Sequence, residues 1–239
     1  LGEIPGASPV RFWQGYSSAW QPVPTHGVAM ALGGYVVAHG VGAIEKVSKV
    51  MMPTLIILVV ILTVRALTLP GAGDGLGYMF SVNTADLMKA DTWLQALTQN
   101  AWDTGAGWGL ILVYAAYMRK DEDTALNSFI LPTANNMVSL CAGMMVLCTV
   151  FSVLPTLVAN LAQDPNALAD YPRLAEAIGR GEPLTADLVR RTIFQAGNEG
   201  LTFTWIPQLF ARLPFGRLLM FLFFLALAFA AFTSPVALI

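Results

Sequence analysis

The sequence predicts an all-α, polytopic helical membrane protein, on three observations. Hydrophobic residues fill 56% of the 239 positions and charged residues only 12%, where a soluble domain carries roughly a quarter charged residues. The mean hydropathy is +0.61. Five separate apolar stretches each reach about 18 residues or more, the length that a bilayer-crossing helix requires. A soluble two-domain enzyme is thereby excluded. The net charge of −2 offers no basic surface for nucleic acid. Cys141 and Cys148 stand in one apolar stretch, on one helix face and too far apart to bridge. Because the chain starts at Leu1 and stops at Ile239 within an apolar run, it reads as a fragment, and Gly2 to Gln21 lacks the apolar core of a signal peptide.

The first expected span, residues 25–44, is rich in small residues, including Gly33 and Gly34, a composition suited to packing between other helices. His39 near its end reads as a structural helix-end residue. A short polar link, Glu45 to Lys49, leads to the most apolar span, 50–69, with MPTLIILVVILTV at its centre and Arg65 near its far end. Pro53 is expected in the first turn of that helix, where a missing N–H costs little. A loop from Pro70 to Asp91, rich in Gly and Asp, precedes the third span, 93–117, whose middle reads NAWDTGAGWG. The fourth, 125–157, carries Asn135, Asn136 and Ser139. Over 159–213 the composition turns to Asp, Glu and Arg interleaved with Leu and Ala, which predicts amphipathic helices outside the bilayer. The last span, 215–239, contains FLFFLALAFAAFTSPVALI. Lys46, Lys49, Arg119 and Lys120 cluster in two short loops, which the positive-inside rule places in the cytoplasm; 70–91 and 159–213 then lie outside.

The most informative stretch is Asn100 to Gly109. A helix in lipid must satisfy its backbone internally, and here Gly105, Gly107 and Gly109 crowd an ionisable Asp103. A helix break near 103–109 would free carbonyls to hold a cation and amides to hold an anion. The alternative is that the glycines permit close helix packing, with Asp103 hydrogen-bonded to a neighbour. Against that stands the cost of a carboxylate near the bilayer centre, roughly 2.5 to 3.5 kcal/mol on the insertion scale. Trp102 and Trp108 flank the break, as packing or as pocket walls. Asn135 and Ser139, four apart, share one helix face, where interhelical hydrogen bonding and a lined polar cavity are both open readings. Thr233 and Ser234 precede Pro235; their hydroxyls satisfy the freed helix carbonyl or help to coordinate a hard cation such as sodium. No Gly-x-Ser-x-Gly, no His pair at ligand spacing and no carboxylate dyad is present, so an enzyme is not expected.

Several motifs, in order, are similar to those of one family. The runs IEKVSKVMMP (Ile44 to Pro53), TLPGAGDGL (Thr68 to Leu76), W-x5-Q (Trp93 to Gln99), YAAYMRKDED (Tyr114 to Asp123) and GLTFTWIPQLF (Gly200 to Phe210) resemble the neurotransmitter:sodium symporter family. The resemblance covers nearly the whole chain. It implies the inverted-repeat sodium symporter fold in part, with the five spans corresponding to the family's fourth to eighth helices, in a protein about twice as long. It implies a multi-pass protein of the plasma or inner membrane that couples sodium to the uptake of an amino acid or related amine by alternating access. A substrate sensor of the same fold and a sodium-permeable channel are the alternative functions.

The resemblance also implies site residues. Asp103 and Asn135 fall where the family gathers ligands for one sodium ion, with Gln99 and Ser139 at the positions beside it that hold chloride in chloride-dependent members. Ala230 (through its carbonyl), Thr233 and Ser234 align with the ligands of a second sodium ion. Trp102, Asp103, Gly105, Trp108, Ser234 and Leu238 align with the substrate pocket, and Tyr117 with the cytoplasmic gate. Two departures stand out. The family usually has a Ser or Thr hydroxyl where this sequence has Asp103, so the carboxylate is a candidate replacement for the balancing chloride or a proton-coupling group. An insertion of about Gln163 to Arg191 enlarges the fourth outer loop, an expected extracellular lid.

Overall fold

The computed structural model describes residues 9–104, 107, 109, 112, 115–116, 118, 120–164, 168, 171–197, 200–211 and 213–238, with the side chains of 9–11, 14, 103–104, 204, 208 and 233–238 outside that description. All regular elements among the described residues are helical: α1 (Pro9–Ser18), α2 (Pro22–Ala38), α3 (Val41–Leu67), α4 (Ala72–Phe80), α5 (Thr84–Leu87), α6 (Ala90–Thr104), α7 (Thr124–Gln163), α8 (Pro172–Gly179), α9 (Ala186–Phe194), a π-helical stretch (Gly200–Trp205), α10 (Ile206–Ala211) and α11 (Gly216–Leu238). This agrees with the all-α class that the composition predicts.

The helix ends differ from the sequence expectation in ways that local chemistry explains. The break between the first two long helices falls at Gly40, whose φ of 79° is a conformation that glycine adopts without strain. Beyond it nothing stops a helix, and the expected link at 45–49 lies within α3, where Lys49 pairs with Glu45 at 2.7 Å, one turn apart. Pro53 is therefore inside α3 rather than in its first turn. The stretch after Pro70 is a loop in only a few places. Gly71, with φ 79°, turns the chain, and Asp74 sits in the first turn of α4, near the positive end of its dipole. The Asn83 side chain accepts a hydrogen bond from the Ala85 N–H at 3.1 Å and starts α5. Asp123 does the same for α7, accepting from the Leu126 N–H at 2.9 Å.

Among the described residues two helices, α3 and α7, are long and apolar enough to cross a membrane, and α11 holds a shorter apolar run over Gly216–Phe232. Their exposure is one-sided. Leu62 on α3 is 2% exposed while Ile57 is 58% exposed, and the exposed side also carries Ile56, Val60, Ile61 and Val64. Isoleucine and valine at such density on an open helix face suit hydrocarbon better than water. At 1.5 Å per residue the 40 residues of α7 run about 60 Å, about twice the hydrocarbon thickness.

The core gathers at one end of this assembly. From Met145 to Leu161, α7 buries Cys148, Val150, Val153, Leu154 and Leu157 against Leu62 and Ala66 of α3, Ala72 of α4, and the residues after 170. The amphipathic helices expected over 159–213 are α8, α9 and α10, with Leu174, Val189, Ile193, Ile206 and Leu209 at 1% exposure or less. Each such side chain contributes roughly 1.5 to 3 kcal/mol of burial, so this segment is a folded cap on α7. Charges such as the pairs Arg180 with Glu176 and Arg191 with Asp187 face outward. The α1 helix docks on the cap's far end, where Trp13 stacks on Phe203 of the π-helical stretch at 4.3 Å between ring centres.

Candidate functional site

The site is built from the end of α6. That helix is described as far as Thr104, and beyond it Gly107 and Gly109 have φ of 83° and 75°. Side-chain-bearing residues adopt this left-handed region only at a cost, so two glycines two residues apart mark backbone that has left the α-helix. Backbone groups in such a segment are not taken up by the i to i−4 ladder and can serve a ligand. Gln99 and Trp102 lie on the last turns of α6, with Trp102 64% exposed. Asp103 lies on the same helix; its side chain lies outside the described residues, as do Gly105, Trp108 and Tyr117.

Asn135 and Ser139 stand one turn apart on α7, the first half-buried and the second exposed. Ala230 is half-buried on α11. Thr233, Ser234 and Leu238 continue α11, with side chains outside the described residues. The α3 helix packs against both α7 and α11 and so sets their relative position, whereas α6 packs on α5. Asn135 and Ser139 thus share one face and Gln99 and Trp102 share another element, held by different neighbours.

One contact that sequence reasoning missed fixes α7 near this face. Thr63 of α3 is buried, and its hydroxyl directs its one proton between the Val59 carbonyl in its own helix, at 2.8 Å, and the Cys141 carbonyl of α7, at 2.9 Å. The accepting carbonyl is two residues past Ser139. A lone threonine within VILTVR was the available signal, but back-bonding to its own helix is the usual use of such a hydroxyl. Asn135, Ser139 and the carbonyl of Ala230 are uncharged oxygen donors, the kind a hard monovalent cation takes. Among the described residues no group of three or more His, Cys, Asp or Glu side chains is arranged to hold a metal ion.

Comparison with known proteins adds a direct finding. The model of the sodium:neurotransmitter symporter family matches residues 17–239. An uncharacterised sodium-dependent transporter of Bacillus subtilis is 31% identical over 245 residues, covering 100% of this chain and 45% of that protein. A second, of Methanocaldococcus jannaschii, is 29% identical, covering 82% of this chain and 34% of that protein. A sodium- and chloride-dependent GABA transporter of Drosophila melanogaster is 27% identical over 77% of this chain and 16% of its own length. The chain spans less than half the length of each of these relatives, and their names are those of transporters rather than enzymes.

Proposed function

Because the chain belongs to the sodium:neurotransmitter symporter family, we propose that it forms part of a multi-pass plasma- or inner-membrane transporter that couples sodium entry to uptake of an amino acid or related amine by alternating access. The observation that carries this reading is the pair of left-handed glycines, Gly107 and Gly109, that follows α6 and its Asp103. An interrupted helix at membrane depth is tolerated where its open backbone faces protein or a cavity. Half-helix ends there attract the charges of an ion and a zwitterionic substrate.

In this reading Asp103, Asn135, Ala230, Thr233 and Ser234 hold sodium, which is cargo, while Trp102, Gly105, Trp108, Ser234 and Leu238 line the substrate pocket and Tyr117 gates the inner side. Sodium and substrate each stabilise the occluded state, so each raises the other's affinity. Asp103 supplies a fixed negative charge beside the first sodium, at the place where Gln99 and Ser139 would otherwise hold chloride, which makes transport chloride-independent.

The test is uptake of labelled amino acids and amines into liposomes bearing the full-length protein. Accumulation is expected under an inward sodium gradient and not under a potassium gradient of equal size. Binding without counterflow of labelled substrate would instead indicate a sensor, and sodium currents far exceeding substrate flux a channel.

A further inference from the structure

The cap carries a charge that its surface position does not explain. Arg190 of α9 is turned inward, with 26% of its side chain exposed, against 54% for its neighbour Arg191. Its guanidinium lies 4.9 Å from the ring centre of Tyr78 on α4 and 5.9 Å from that of Phe151 on α7. Tyr78 also stacks on Phe194 of α9 at 6.0 Å and leans on Phe151 at 5.3 Å. Asp187, which bonds Arg190 through one oxygen, holds Arg191 through the other. One side chain thus joins three elements, and a planar cation between two ring faces is a contact that arginine makes better than lysine.

What the joint holds gives it a reach beyond the cap. Phe151 and the candidate ion-site residues Asn135 and Ser139 belong to the same helix, sixteen and twelve residues apart, or about 24 and 18 Å along it. The prolines of α7 are Pro132 and Pro155, so no proline interrupts the stretch between Asn135 and Phe151. A helix without such a break transmits a tilt from one end to the other. Near its far end this lever is tied to α3 by the Thr63 hydroxyl on the Cys141 carbonyl, and α4 meets it at Cys148. The cap joint at Phe151 is a further anchor, on the cap side of both, that acts on its tilt about them.

We propose that Arg190 is a positioning residue: by clamping α9 to Tyr78 and Phe151 it fixes the tilt of α7 and so the placement of Asn135 and Ser139. The inference rests on the reading of that α7 face as part of a sodium site. It makes the cap and the ion site reciprocal partners, so that sodium tightens the cap and the seated cap raises sodium affinity.

The test uses the full-length protein in detergent, comparing wild type with Arg190→Met, which keeps the apolar stem, and Arg190→Lys, which keeps the charge. Hydrogen exchange of α8 and α9 amides is expected to accelerate roughly five- to thirtyfold in Arg190→Met while α3 is unchanged. Half-saturating sodium should rise about threefold or more, with Arg190→Lys intermediate. Sodium should slow cap exchange in wild type and fail to do so in Arg190→Met. Unchanged cap exchange overturns the joint, and a loosened cap with an unaltered sodium isotherm overturns the coupling. Wild-type protein that binds no sodium at all overturns the transport reading itself, a result separable from both because cap exchange is measured without sodium. Phe151→Leu, which leaves Arg190 intact and removes one ring, should reproduce the sodium shift in part.

Discussion

A Cβ placed on Gly75 of α4 would stand 2.9 Å from the Cα of Cys148 on α7. The two backbones meet there with no room for a side chain, and the Cys148 thiol, fully buried, points at the Ala72 carbonyl 3.5 Å away. Gly73 and Gly77, on either side, have nothing within 4 Å of the point where a methyl group would stand. Gly75→Ala is therefore expected to push α4 off α7 and destabilise the protein by about 1 to 3 kcal/mol, the usual range for overpacking. Gly77→Ala should be neutral or slightly stabilising, since alanine is the better helix former. Thermal unfolding of the two variants in detergent checks the contrast; equal melting temperatures would show that the contact does not bind the helices.

Thr63→Val removes the hydroxyl that joins α3 to α7 and keeps the shape. Interhelical hydrogen bonds in membranes are worth about 0.6 kcal/mol on average and about 1.7 at most, so a loss in that range is expected. Thr63→Ser should retain most of the stability. A larger melting shift for serine than for valine would mean that packing of the methyl group, rather than the hydroxyl, holds the pair.

How much of this was legible beforehand depended on the kind of information. The apolar runs announced the long helices because their length and composition leave few other solutions, whereas the break expected near 103–109 falls partly outside the described residues, with Gly107 and Gly109 in left-handed backbone. The run Glu45 to Lys49 misled: polarity suggested a link, but Glu and Lys four apart pair on a helix, and the true break needed only Gly40. The choice of Gly75 among three alternating glycines was invisible, since it depends on which face of α4 meets α7. Arg190 was invisible for a similar reason. An arginine on an amphipathic helix normally faces water, and only Tyr78 and Phe151, 112 and 39 residues away in sequence, turn it inward.

The Asp86–Lys89 pair beside α5 fixes a pH window. Lys89 donates to Asp86 at 2.7 Å, and this bond, then the charge behind it, holds the Asp86 carboxyl below its ordinary range and the Lys89 ammonium above its own. A lowered carboxyl favours the folded loop at pH above its ordinary value and loses that contribution as pH falls through the lowered one; a raised ammonium loses its contribution only as pH rises through the raised one. The local order of α5 should therefore be flat across neutral pH and decline at both extremes. Both groups are exposed, so the effect is small and screened by salt. Titration of the Asp86 carboxyl by carbon NMR checks it, with a midpoint at or above the ordinary carboxylate value as the contrary result.

Asp103→Ser returns the hydroxyl that the family usually has at this position. If the carboxylate stands in for chloride, the variant should acquire a chloride requirement: uptake should fall about fivefold or more when chloride is replaced by gluconate, with wild type unaffected. A strict chloride requirement in wild type would refute the substitution. Dependence of wild-type uptake on external pH at constant sodium would point to proton coupling by Asp103 instead.

The central claim is that the interrupted α6 and the Asn135 face of α7 together hold sodium, and equilibrium binding of radioactive sodium to the purified full-length protein tests it most directly. Asn135→Ala removes one oxygen ligand from the ion, a loss of the order of 1.5 to 3 kcal/mol for a bond to a charged group. Half-saturating sodium is expected to rise roughly tenfold or more relative to wild type, with the fold retained by circular dichroism. Superimposable isotherms for the two proteins would contradict the account.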